Sequence, residues 1–148
     1  MQSSGLLRRK SRLAVGRRLK GEIHVTHLAR SLADVLLERH RRICRTFNVG
    51  QPEAVRDDMI QDSTIEYGIL SESAGYPNLG QAVSNPLGEI AEWCATNSFP
   101  PLNSLAVSKE TQMPSEGYER AAGCSLLHWP EQVRRCIAFR GYPDRVNQ

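Results

Sequence analysis

The chain's cysteines and histidines are the side chains best suited to nucleophilic or metal chemistry. They are Cys44, Cys94, Cys124 and Cys136, and His24, His27, His40 and His128. Zinc sites require closely spaced ligands, yet no Cys-x-x-Cys pair occurs and no histidine falls at zinc-type spacing from a cysteine. The phosphate-binding Gly-x-x-x-x-Gly-Lys run and the Gly-x-Ser-x-Gly nucleophile turn are also missing. We therefore predict no metal, no cofactor and no catalysis.

Two further features could support an enzyme, and each has a simpler structural explanation. Cys94 continues a helical stripe of apolar residues at i, i+3, i+4 and i+7, namely Leu87, Ile90, Ala91 and Cys94. That spacing predicts a buried, inert thiol. Glu89 and Glu92 flank one face of the same helix and could form an acid/base pair. A solvated helix face would also explain Glu89 and Glu92, and we adopt this interpretation.

Charge is distributed very unevenly along the 148 residues. Met1 to Arg45 holds 12 Lys/Arg against three acids, so 12 − 3 = +9, whereas Thr46 to Gln148 holds 7 against 13, so 7 − 13 = −6. A chain of this length normally forms one domain. Because such charge separation reports on partners, it points to an anionic partner for the front of the chain.

Residues 1–21 contain no acid and seven basic residues, which are Arg8, Arg9, Lys10, Arg12, Arg17, Arg18 and Lys20. This composition predicts a disordered arm ahead of a single domain over 22–148. The arm could contact phosphates, act as a nuclear-type signal, resemble a transit peptide or be a solvated terminus. No apolar run approaches the roughly 20 residues that cross a bilayer. We expect a reduced, cytoplasmic protein that enters no membrane.

Apolar residues at three- and four-residue steps predict a long amphipathic helix from Thr26 to Phe47, with Thr26 as its N-cap. We expect Arg30–Asp34 and Glu38–Arg42 to pair on its outer face. Three arginines near its end are candidate phosphate contacts, namely Arg41, Arg42 and Arg45.

The rest of the pattern predicts a mainly α (α+β) fold with a small β-hairpin. The expected elements are a helix from Pro52, a helix Tyr67–Ala74 ended by Gly75, a short helix Leu79–Ser84 capped by Asn78, a helix from Asn85-Pro86, a strand Leu102–Ser108, a hairpin loop Lys109–Gly117, a strand near Tyr118, and a helix Pro130–Arg140.

From Ile65 to Tyr118 this order is that of a winged helix-turn-helix. Five segments carry a more specific resemblance. They are Ile65-Glu66-Tyr67-Gly68-Ile69-Leu70, Ala74-Gly75, Gln81-Ala82-Val83, Asn85-Pro86, and Pro101 before a strand. They resemble the DNA-binding half of the alkylguanine alkyltransferase and alkyltransferase-like family. The resemblance implies that Tyr67 meets a phosphate, although tyrosine is also an ordinary helix-packing residue, which is the role we favour. A recognition helix here would offer Gln81 and Asn78 to read bases.

The sequence departs from the family pattern at several positions, and these departures change the function that the resemblance implies. Leu102 stands where the family has its acceptor cysteine, and leucine cannot accept an alkyl group. Gln81 replaces the arginine that takes the place of a flipped base. No Lys or Arg occurs between Arg56 and Lys109, so phosphate contacts must come from the arm, the first helix and Arg134/Arg135.

We therefore predict a non-catalytic, nucleic-acid-associated or regulatory protein that binds weakly and without sequence specificity. The alternative is an acidic protein-interaction module, such as an adaptor, antitoxin-like partner or inhibitor. The position of the arginines decides between them. One basic stripe beside the Asn78–Asn85 helix favours DNA, and an apolar or acidic surface there favours a protein partner.

Overall fold

The computed structural model describes residues 25–146, and the predicted arm (1–21) lies outside them. The elements are α1 (His27–Phe47), a 3-10 turn (Pro52–Ala54), α2 (Asp57–Ser63), β1 (Ile65–Glu66), α3 (Tyr67–Ser73), a 3-10 turn (Gly80–Val83), α4 (Ser84–Thr96), a 3-10 turn (Leu102–Leu105), β2 (Ala106–Val107), α5 (Gly117–Arg120) and α6 (Trp129–Ala138). The mainly α prediction is confirmed. None of the described helices is both long enough and apolar enough to cross a membrane.

Helix α1 forms where its apolar spacing predicts it. The Thr26 hydroxyl accepts a hydrogen bond from the Ala29 N–H at 3.2 Å, which satisfies one of the free amides of the first turn. Asn48 ends the helix in the left-handed conformation (φ 50°), and its N–H donates to the Cys44 carbonyl. The centre of the apolar face, including Leu32, Leu36 and Ile43, is buried, and the helix packs against α3, α4 and α6.

The ion pairs predicted on α1 do not form. Arg30 Nη2 donates to the Val25 carbonyl at 3.5 Å, and one carboxylate oxygen of Asp34 is buried without a partner. Among the described residues the ion pairs are Arg41–Asp144, Arg56–Asp58 and Arg134–Asp57. Exposed i,i+4 pairs contribute only about 0.2–0.5 kcal/mol, so a backbone carbonyl at the helix start can easily outcompete them.

The predicted β-hairpin is wrong. Strands β1 and β2 pair in parallel, with Ile65 opposite Ala106 and Glu66 opposite Val107. Helices α3 and α4 lie between the strands in the chain, and such a crossover delivers the second strand in the same direction as the first. No second strand forms near Tyr118, which lies in the helical turn α5. The centre of the chain therefore has no hairpin wing within 25–146.

Tyr118 is held in this turn by a buried polar network. Its hydroxyl contacts the Ser104 hydroxyl at 2.6 Å and donates to the side-chain carbonyl of Gln132 on α6. The Trp129 indole N–H donates to the Ser104 carbonyl at 2.8 Å. Because a buried phenol needs partners, these bonds draw Tyr118 inward, where a hairpin strand would leave it near the surface.

His40 is buried where the end of α1 packs on α6. Its Nε2 lies 2.7 Å from the Cys136 carbonyl, and its ring packs edge-on against Tyr142. Burial, together with the nearby Arg140 and Arg41, lowers the pKa of His40 below its ordinary value, despite the stabilising carbonyls. The folded protein therefore holds this imidazole in its neutral form.

This burial predicts that stability falls in mildly acidic solution. Below the ordinary pKa of 6.5 the unfolded chain takes up a proton that the folded chain resists, so the stabilisation present above 6.5 is lost as the pH falls. Each unit by which folding lowers this pKa corresponds to about 1.4 kcal/mol of unfolding free energy that is lost once the pH is below both pKa values. The melting temperature measured from pH 8 to 5 should drop less in His40→Gln than in the native protein. A control, His128→Gln, alters an exposed histidine and should keep the native profile. Equal profiles for all three proteins would contradict this assignment.

Candidate nucleic-acid interface

Three of the predicted site residues line one open cleft of ≈ 870 Å³. Tyr67 lies at the start of α3, and Asn78 and Gln81 lie in the turn between α3 and α4. The third wall is the segment from Ser108 to Arg120, which follows β2. The structure thus brings these three predicted site residues together. We call this feature the cleft.

Backbone geometry sets the shape of the cleft. Gly75, Asn78 and Gly80 all have positive φ (90°, 70° and 56°), which reverses the chain after α3. Asn78 is therefore a turn residue, and the predicted helix cap does not form. The Tyr67 hydroxyl accepts a hydrogen bond from the Ser115 N–H at 2.8 Å, which fixes the ring against the opposite wall.

Acidic side chains outnumber basic ones in the cleft. Glu66, Glu72, Glu110 and Glu116 line it, against Lys109 and Arg120. A hydrogen bond from the Ser108 hydroxyl holds the pKa of the Glu110 carboxyl below its usual value. Gln112 Nε2 donates to the Glu66 carboxylate at 3.0 Å. The cleft therefore repels a phosphate backbone.

Five arginines gather where the C-terminal ends of α1 and α6 meet, and we call this the basic end. They are Arg41, Arg42, Arg45, Arg140 and Arg145. Arg41 Nη1 donates to the Asp144 carbonyl at 3.1 Å, and Arg140 Nη2 donates to the Val49 carbonyl at 2.7 Å. Arg42 and Arg45 are exposed. Arg41, Arg42 and Arg45 were predicted from the sequence. Arg140 and Arg145 were not, because their proximity to α1 depends on tertiary packing.

The start of α1, at the far end of this helix from the basic end, lies near the Pro77 wall of the cleft. At its start, Thr26 donates to Glu89 of α4 at 2.9 Å, and His27 lies 6.4 Å from Tyr76, measured between ring centroids. Its 21 residues span about 30 Å. The single basic stripe beside Asn78–Asn85 is therefore not formed by the described residues. The arm residues Arg8, Arg9, Lys10, Arg12, Arg17, Arg18 and Lys20 lie outside the described part of the chain.

Arg134, a predicted phosphate contact, and Arg39 of α1 both bond to the protein's own backbone. Arg134 donates to the Val55 carbonyl at 3.2 Å and pairs with Asp57, and Arg39 donates to the Ser63 carbonyl at 2.8 Å. Arg135 is exposed on α6. Arg39 and Arg134 are therefore less available to a partner than the exposed arginines of the basic end.

None of the four thiols shows the lowered pKa of a reactive cysteine. Burial raises the pKa of Cys94 and of Cys136 to about 12, and it also raises those of Cys44 and Cys124. Leu102, at the family's acceptor position, is fully buried. Among residues 25–146 no group of three or more His, Cys, Asp or Glu side chains could hold a metal ion.

Asn103 is a candidate binding residue that the sequence did not reveal. Its side chain is 3% exposed, and Nδ2 donates to Cys124 Sγ at 3.5 Å, whereas Oδ1 is buried with no partner. Asn103 lines a small cavity of ≈ 20 Å³ that shares Tyr67, Ser84 and Ser115 with the cleft. This space holds about one water-sized group. The only sequence signal is a polar residue amid the buried Leu102–Val107.

Comparison of the chain with protein-family models, with curated proteins and with solved structures finds no match in any of the three.

Proposed function

We propose that this chain is a non-catalytic nucleic-acid-binding protein that contacts the phosphate backbone through its basic end and its arm. The separation of charge in the fold carries this proposal. The basic end has five arginines, of which Arg41 alone is paired with an acid, Asp144, among the described residues, while the cleft carries surplus glutamates. Cationic surfaces of this kind supply most of the affinity in sequence-independent binding.

Arg42 and Arg45 suit this role best, because both are exposed on the last two turns of α1. A guanidinium presents a planar fork of donors that matches two phosphate oxygens. Contacts to phosphate carry no sequence information, so we expect similar affinity for unrelated duplexes. On this proposal Tyr67, Asn78 and Gln81 are at most secondary contacts, since their cleft is acidic.

Charge removal at two matched places tests the proposal. Arg42→Gln/Arg45→Gln should weaken binding to a random duplex and reduce the slope of log K against log salt by about 1.8, or about 0.9 for each phosphate contact. The matched control, Lys109→Gln/Arg120→Gln, removes the same charge from the cleft and should leave the slope near the native value. Fluorescence anisotropy at several salt concentrations measures both. An equal decrease of the slope in both double variants would contradict the proposal that the phosphate contacts lie at the basic end.

A protein-interaction module remains the second candidate, because Ile69 is 52% exposed within the acidic cleft. An exposed apolar side chain among carboxylates suits a partner with both apolar and basic groups. Absence of duplex binding by the native protein at low salt would contradict the proposed function and favour this candidate.

A further inference from the structure

The cleft presents a surface that the described fold leaves uncovered. Ile69 projects from α3 beside the exposed Pro77 and the half-buried Leu79, and Glu66 and Glu72 border them. None of the three ion pairs among the described residues involves the cleft carboxylates. A segment that covers this surface should therefore interleave apolar and cationic side chains.

The arm has that composition. Leucines precede or interrupt its basic runs, as in Leu6-Leu7-Arg8-Arg9-Lys10 and Arg17-Arg18-Leu19-Lys20. It has seven positive charges and no acid before Glu22, against the four glutamates of the cleft. Composition and charge thus match this one segment of the chain to the cleft.

The described chain begins on the cleft side of the molecule. Val25 is buried, and His27 lies against Tyr76, the residue before the cleft-lining Pro77. Five residue steps from Lys20 to Val25 span at most about 18 Å, which limits how far the end of the arm can lie from Val25. Such a tether gives the arm a high effective concentration there.

Asn103 adds a hydrogen-bond acceptor at the base of the cleft. Its Oδ1 is buried and has no donor among the described residues, and its small cavity shares a wall with the cleft. This acceptor is independent of the glutamates and also calls for a donor-rich ligand.

We propose that the arm docks in the cleft of its own chain and that phosphate competes with the cleft for the arm's basic residues. Docking buries Ile69 and pairs the arm's cations with Glu66 and Glu72. The competition rests on the proposed nucleic-acid binding, whereas docking itself does not. If the arm is docked in about nine molecules of ten, its phosphate binding is weakened about tenfold.

Zero-length carbodiimide cross-linking of the full chain tests docking directly. The arm offers amines at Lys10 and Lys20, and the cleft offers four carboxylates. Mass spectrometry of the monomeric product should place their cross-links on Glu66, Glu72, Glu110 or Glu116, and 1 M salt should abolish them, since screening then acts within about 3 Å. Exposed glutamates elsewhere, Glu53 and Glu131, should remain unlinked.

Carboxamide variants test the competition. Glu66→Gln/Glu72→Gln should weaken the cross-links to the two remaining cleft carboxylates, Glu110 and Glu116, and bind duplex DNA up to about tenfold more tightly, whereas the control Glu53→Gln/Glu131→Gln should do neither. Links spread evenly over all exposed glutamates, or found only in covalent dimers, would overturn docking in cis. Cross-links in a protein that binds no DNA would support docking and contradict the proposed function, so the two failures are distinguishable.

Discussion

Replacing Ile90 by alanine is expected to lower the free energy of unfolding by about 2–5 kcal/mol. Ile90 is 1% exposed and lies at the centre of α4, which packs against both α1 and the Leu102–Leu105 turn. Removing its outer carbons loses their transfer free energy and leaves a cavity that rigid neighbours cannot fill. Urea unfolding followed by the fluorescence of Trp93 and Trp129 measures the change.

The fold offers a matched isoleucine for the control. Ile69 is 52% exposed, so Ile69→Ala removes the same atoms from a solvated site and should change stability by no more than about 0.5 kcal/mol. Equal effects at the two positions would contradict the assignment of α4 to the core. If Ile90→Ala kept its stability and lost a binding activity, α4 would be an interface instead.

The sequence predicts α1 and α4 well because each buries one continuous face, and burial of one helical face imposes a 3.6-residue period. The stripe Leu87, Ile90, Ala91 and Cys94 is buried throughout. Helix α6 is also close to its predicted range, with Val133 and Ile137 turned inward as expected. These elements follow from local pattern alone.

The hairpin could not be predicted correctly because its apolar run has no period that separates a strand from a buried turn. Leu102 to Val107 is wholly buried, and the first four residues form a 3-10 turn. The strand partner, Ile65, is distant in the chain, and Tyr118 is drawn inward by Ser104 and Gln132. Both determinants are tertiary contacts that short-range spacing does not encode.

In the candidate site, too, some features could be predicted from the sequence and others depend on tertiary contacts. Tyr67, Asn78 and Gln81 were grouped by the family resemblance, and they do line one cleft, although their roles in binding stay predictions. The sequence revealed only part of the basic end, since Arg140 contacts Val49 just after α1, and Asp144, beside Arg145, contacts Arg41 through the packing of the chain's last residues. The only signal for Asn103 was a polar residue within the Leu102–Val107 run, because an unpartnered buried oxygen is a property of packing.

The arm should dominate the salt dependence of any DNA binding. Changing its seven basic residues to glutamine (Arg8, Arg9, Lys10, Arg12, Arg17, Arg18 and Lys20) keeps the length of the chain and removes seven charges. If all seven contact phosphate, the slope of log K against log salt falls by about 6. Affinity at low salt should fall steeply with it, because counterion release supplies most of the binding free energy.

Gln81→Ala is the control for this experiment, since glutamine neutralises no phosphate and should leave the slope unchanged. Circular dichroism of both variants should match that of the native chain. An unchanged slope in the glutamine-arm variant would show that the arm does not contact phosphate. Tight, sequence-specific binding that Gln81→Ala abolishes would contradict the charge argument itself. The cleft would then read bases despite its glutamates, and affinity would come from direct hydrogen bonds to base edges, not from counterion release.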